Sequence, residues 1–89
     1  MPDSPNAADT LGWAYYHKGV YGSAINQFQE AMRLGAKRGD PDDADIHYHL
    51  GLAYEKSNQN ALARQQLEKA VKLDPKNDDA RKKLSELRS

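Results

Sequence analysis

Apolar residues recur three and four positions apart along most of this 89-residue chain, the period of a single helix face. Five segments carry it and predict helices over about 6–18, 21–34, 42–56, 59–73 and 78–87. In the second, Ala24, Phe28 and Ala31 form a narrow stripe at spacings of four and three, and Ala63, Leu67 and Ala70 do the same in the fourth. No stretch of five or more residues alternates cleanly between apolar and polar, so strands have little support. Lys18-Gly19-Val20 and Ser57-Asn58 are connections short enough to fold each helix pair into an antiparallel hairpin. Ser4-Pro5 and Asp40-Pro41 each offer a side-chain acceptor followed by a proline, which predicts a helix start at both places. Asp74-Pro75-Lys76-Asn77 resets the chain, and Asn77 can cap a last helix whose early acidic residues suit its macrodipole. That helix sets Arg81, Lys82, Lys83, Glu86 and Arg88 opposite Ala80, Leu84 and Leu87, the outline of a terminal cap.

The two helix pairs are copies of one another. Leu11, Gly12 and Tyr15 return 39 residues later as Leu50, Gly51 and Tyr54, and the Ala24-Phe28-Ala31 stripe returns as Ala63-Leu67-Ala70. These residues and spacings resemble the tetratricopeptide repeat signature, W-x-x-L-G-x-x-Y, then A-x-x-x-F, then Pro near a boundary of about 34 residues. Pro75 falls at that boundary, and Leu67 stands in for the Phe of the second copy. Ala8 and His47 occupy the signature Trp positions, which predicts looser packing there. Aligning Asp40-Pro41 with Asp74-Pro75 places the excess length at residues 35–39, so the second helix should run an extra turn before a longer loop.

The resemblance implies an all-α fold, a right-handed solenoid of helical hairpins. It divides one domain over residues 1–89 into a first repeat over about 5–38, a second over about 41–77, and a cap helix over about 78–88. It also sets Gly12 and Gly51 against Ala24 and Ala63 so that paired helices approach closely, with Tyr15 and Tyr54 filling the gap beside them. The stretch from Asp9 to Tyr16 is similar, further, to a phrase near the ends of long bacterial arrays, including those tied to exopolysaccharide export.

Charge and composition narrow the function. Thirteen Lys and Arg balance thirteen Asp and Glu, which removes the basic field that non-specific nucleic-acid binding needs. The basic residues near the end, Lys76, Arg81, Lys82, Lys83 and Arg88, are interrupted by Asp78, Asp79 and Glu86 with no aromatic among them, so they read as a solvated helix face. The balance is uneven, however. Residues 1–55 hold eight acidic and four basic residues against five and nine in residues 56–89, a split of −4 and +4 that is compatible with head-to-tail contact, so a monomer and a weak homo-oligomer both stay open. The absence of cysteine excludes disulfides and thiolate chemistry.

The longest apolar run, Trp13 to Tyr16, is far too short for membrane insertion, and residues 1–10 show no signal-peptide pattern. Cytoplasm and periplasm both stay open. His47 and His49 point to different sides of one helix and His17 lies on another, so no metal site is expected. Neither a glycine-rich phosphate loop nor a nucleophile elbow is present, which predicts no cofactor and no enzyme activity.

The resemblance implies instead a protein-binding scaffold whose first helices line a concave groove. Trp13 and Tyr16 in the first copy, and Tyr48 and Leu52 in the second, should supply apolar contact for a peptide or helix. Asp9, Asp45, His49 and Glu55 should add polar selectivity around them. The alternative is a structural capping or self-associating piece of a longer array. The carboxylate clamp by which some relatives hold a chaperone tail is missing. Asp9, Trp13 and His49 stand where its Lys and two Asn would lie, Asp79 replaces the next Lys, and only Lys83 keeps the expected charge, so an acidic tail should bind poorly.

Overall fold

A computed structural model describes residues 3–89. Five helices lie among them: α1 (Pro5–His17), α2 (Tyr21–Arg38), α3 (Ala44–Lys56), α4 (Asn60–Leu73) and α5 (Asp78–Arg88). Each packs on the next in sequence, and α1 also touches α3. The result is an all-α helical solenoid with extents of 38 × 27 × 18 Å. None of the described helices is long and apolar enough to cross a membrane.

Local chemistry sets the ends. Ser4 Oγ accepts the Ala7 N–H at 3.1 Å with Pro5 in the first turn, and Asn77 Oδ1 accepts the Ala80 N–H at 3.0 Å. The two hairpin turns are built alike: the Val20 N–H donates to Tyr15 O and the Gln59 N–H to Tyr54 O, both at 2.9 Å. The residue preceding each donor has a left-handed backbone, Gly19 at φ 80° and Asn58 at φ 61°, and glycine and asparagine are the residues that tolerate it best.

The extra turn of α2 is present, since residues 35–38 are helical. It ends where Gly39 turns left-handed at φ 77° and the Asp40 N–H closes back on Gly35 O at 2.9 Å. That closure corrects the expectation of a helix start at Asp40-Pro41. With Asp40 spent on ending α2, the chain crosses to α3 before starting again, and Asp43 becomes the cap by accepting the Asp45 N–H on its Oδ1 at 2.9 Å.

The larger core cluster joins α1 to α4 through Ala8, Ala24, Ile25, Phe28, Ala31, Ile46, Leu50, Ala53, Tyr54 and Ala63. A smaller one, Leu67, Ala70, Ala80 and Leu84, seats the cap helix on α4. The glycines approach different neighbours from those expected. A Cβ on Gly12 would lie 2.6 Å from the Phe28 ring, and one on Gly51 would lie 2.8 Å from Leu67 Cγ, with only the carbonyl of Ala63 near at 3.4 Å. The aromatic or leucine one turn past each small alanine, not the alanine itself, fills the space that the missing side chain leaves.

At the second signature position, packing is tighter than expected. His47 is only 4% exposed, with Nδ1 2.6 Å from Gln66 Oε1 and Nε2 2.8 Å from Asp42 Oδ1. Both ring nitrogens face an oxygen, one on Gln66 and one on Asp42. The smaller imidazole thus ties the loop before α3 to helix α4, where the signature Trp would have filled space by packing alone.

Candidate functional site

Helical spacing places Asp9, Trp13 and Tyr16 on one stripe of α1, and Asp45, Tyr48, Leu52 and Glu55 on one stripe of α3. The structure joins the two stripes through aromatic contact. Trp13 stacks on Tyr16 at 5.0 Å and on His49 at 4.2 Å, and His49 lies beside Tyr48 at 5.9 Å and Phe28 at 5.6 Å. The Asp9 carboxylate accepts from His49 Nδ1 at 2.8 Å, so the two repeats are bridged by a polar contact next to a stacked one. Trp13, Tyr16 and Tyr48 are all half-buried, leaving each with surface toward solvent.

Helix α5 closes the other side. Lys83 Nζ lies 3.2 Å from one Glu55 oxygen and 3.4 Å from Glu86. A depression of about 230 Å³ between α3 and α5 is lined by Tyr48, Asp79, Lys82, Lys83 and Glu86. The face is therefore a run of four rings flanked by charge, carried by α1, α3 and α5 together.

Not every expected residue contributes alike. Leu52 is 8% exposed, so it supports the face from below and offers a partner almost no area. Asp45 is exposed in the first turn of α3, one turn before Tyr48. His49, expected as a polar edge, is instead a stacked and hydrogen-bonded part of the seam between repeats. The pairing of Glu55 with Lys83 was not evident from the sequence. Its signal lay in opposite charges on consecutive first helices, which needs the offset between repeats to interpret.

Three groups of this face, Tyr16, Tyr48 and Lys83, hold their protons more firmly than usual. Burial raises the Tyr16 hydroxyl, with Tyr21 and Glu55 pushing the same way against Lys83, and burial raises Tyr48 with Asp79 adding to it. Burial opposes the charge on Lys83, but its hydrogen bonds to Glu55 and Glu86 outweigh this and raise its pKa as well. All three are thus protonated more tightly when folded. The stability they add is complete below the ordinary 10.0 of tyrosine and is lost as pH climbs through the raised values of Tyr16, Tyr48 and Lys83. Urea midpoints should therefore hold up to the ordinary 10.0 of tyrosine and fall as the pH rises beyond it, and Tyr16→Phe with Tyr48→Phe should shrink the fall. An unchanged fall in the double variant would remove these hydroxyls as its source.

Two family models match the chain, one for the TPR repeat over residues 12–58 and one for the tetratricopeptide repeat over residues 44–77. The chain belongs to the tetratricopeptide repeat family. No curated protein sequence matches it. Among solved structures it is similar to the N-terminal domain of stress-induced protein-1 (STI-1) from C. elegans, with a TM-score of 0.83 at 18% identity over 99% of this chain and 70% of that one. At that identity the likeness concerns the fold. Tetratricopeptide repeats are a protein-interaction fold that binds protein partners, and this chain is a protein-interaction scaffold in that general sense.

Proposed function

We propose that the face carried by α1, α3 and α5 is a groove that binds a peptide or a helix from another protein. The observation that supports this most is the half-buried aromatic run of Trp13, Tyr16 and Tyr48 beside Asp9, Glu55 and Lys83. Rings of this kind bury much apolar area at small entropic cost, and a polar rim gives register without adding much affinity. Asp45 extends the rim at one end and His49 holds the floor, while Leu52 backs it. Lys83 is already neutralised by Glu55 and Glu86, so the groove offers little to an acidic chain end.

Selection from a displayed peptide library tests this reading. Clones should converge on apolar or aromatic anchors at helical or extended spacing, and should bind Tyr48→Ala at least about tenfold more weakly than the parent chain. Convergent clones that bind both equally would place the site elsewhere.

The second reading, a self-associating or capping piece of a longer array, is favoured by one contact. Trp13 stacks on His49 of the next repeat, so part of its surface serves the seam between repeats. Sedimentation over a concentration series distinguishes the two. A dimer whose formation blue-shifts Trp13 emission supports self-association, and a monomer at all concentrations supports an open groove.

A further inference from the structure

A cavity of about 460 Å³ opens between the start of α1, the end of α2 and the start of α3, and it shares no lining residue with the aromatic face. Three of its lining residues, Gly35, Ala36 and Arg38, belong to the turn that α2 has in excess of the family period. Its volume falls within the range of sites that take a small ligand or one or two side chains. Pro5, Ala31 and Ile46 are buried and form an apolar floor, with Met32 half-buried beside them.

The rim is polar and unevenly charged. Asp40, Asp42 and Asp43 face a single guanidinium, that of Arg38, which is drawn toward Asp40 at 3.4 Å. Asp42 gives one oxygen to His47, and Asp43 gives one to the Asp45 N–H, so each keeps its second oxygen for a guest. Carboxylates alone would make only a solvated loop. Here they stand over an apolar floor that is wide enough to hold a side chain.

We propose that this cavity is a second binding site, which takes an apolar side chain next to an arginine or lysine from a protein partner. The apolar group would cover the floor of Ala31 and Ile46. The basic stem would lie along Pro41 and Ala36 with its charge at Asp42 and Asp43, the arrangement in which long cationic side chains bury their methylenes and keep the head in water. An acidic neighbour in that position would meet three carboxylates and be rejected.

The test is an amide chemical-shift titration of the full chain with two capped dipeptides, N-acetyl-Leu-Arg-amide and N-acetyl-Leu-Glu-amide. Leu-Arg should shift the amides of Ala31, Gly35, Ile46 and His47 in a saturable way, roughly tenfold more tightly than Leu-Glu. Gly35→Leu should abolish the response while leaving the fold intact. A Cβ at that position meets only Pro5 Cγ at 3.8 Å, an ordinary contact, and the longer side chain would fill the cavity. Asp43→Asn keeps an oxygen for the α3 cap and should weaken Leu-Arg binding several-fold. The proposal is overturned by equal response to the two dipeptides, by shifts that persist in Gly35→Leu, by shifts at Trp13 and Tyr48 instead, or by no shift at millimolar peptide. Only shifts at Trp13 and Tyr48 would bear on the aromatic groove, and the other results leave it untouched because it uses other residues.

Discussion

Phe28→Ala is expected to cost about 3–5 kcal/mol, the largest loss of any single truncation in this chain. Phe28 is fully buried, packs under Gly12, and lies 5.6 Å from His49, so its ring supports the first hairpin and the seam to the second repeat together. Domains of this size hold only ~5–15 kcal/mol in total, so the change removes a large share of what keeps the chain folded. Urea unfolding followed by far-ultraviolet circular dichroism would read it as a much lower midpoint at unchanged slope. A loss under about 1 kcal/mol would mean that the first hairpin is not closed on this ring.

Gly12→Ala should destabilise the chain by about 1–2 kcal/mol, although glycine to alanine inside a helix ordinarily stabilises by roughly 0.5–1 kcal/mol. The new methyl would lie 2.6 Å from the Phe28 ring, closer than carbon atoms tolerate, and that ring is held on all sides. Either α1 moves away from α2 or the ring leaves its rotamer, and both cost packing. Gly51→Ala should cost less. The new methyl there would lie 2.8 Å from Leu67 Cγ, slightly farther than the 2.6 Å at Phe28, although Leu67 is just as fully buried. Melting curves of the two variants give the comparison, and a stabilised Gly12→Ala would show that the helices are farther apart than the structure has them.

Much of the fold was legible because it depends on period. The stripes Ala24-Phe28-Ala31 and Ala63-Leu67-Ala70 are short-range features of single helices, and each became the buried side of its helix. The start of α3 was not legible, because Asp40-Pro41 carries the same local signal as Ser4-Pro5. What decided between them was the left-handed Gly39, which ended α2 and claimed Asp40 for that closure. The glycine partners were misassigned for a related reason. The repeat signature says that helices approach at Gly12, but only their crossing says which residue of the other helix meets it.

The aromatic face divides the same way. Helical spacing places Trp13, Tyr16, Tyr48 and Leu52 on the right sides of α1 and α3, yet a stripe gives direction and not depth, so Leu52 proved buried while Tyr48 stayed half-exposed. The contacts of Asp9 with His49 and of Glu55 with Lys83 join residues 40 and 28 positions apart. They depend on the offset between successive repeats, which no single helix encodes. The cavity beside Gly35 was foreshadowed only by the excess residues that lengthen α2.

The central claim is that the face of α1, α3 and α5 receives a protein segment, and mapping a library-selected peptide by amide chemical shifts tests it most directly. Saturable shifts concentrated at Trp13, Tyr16, Tyr48 and His49, with α2 and α4 undisturbed, are the predicted result. Shifts confined to the outer surfaces of α2 and α4, with Trp13 unmoved, would contradict it.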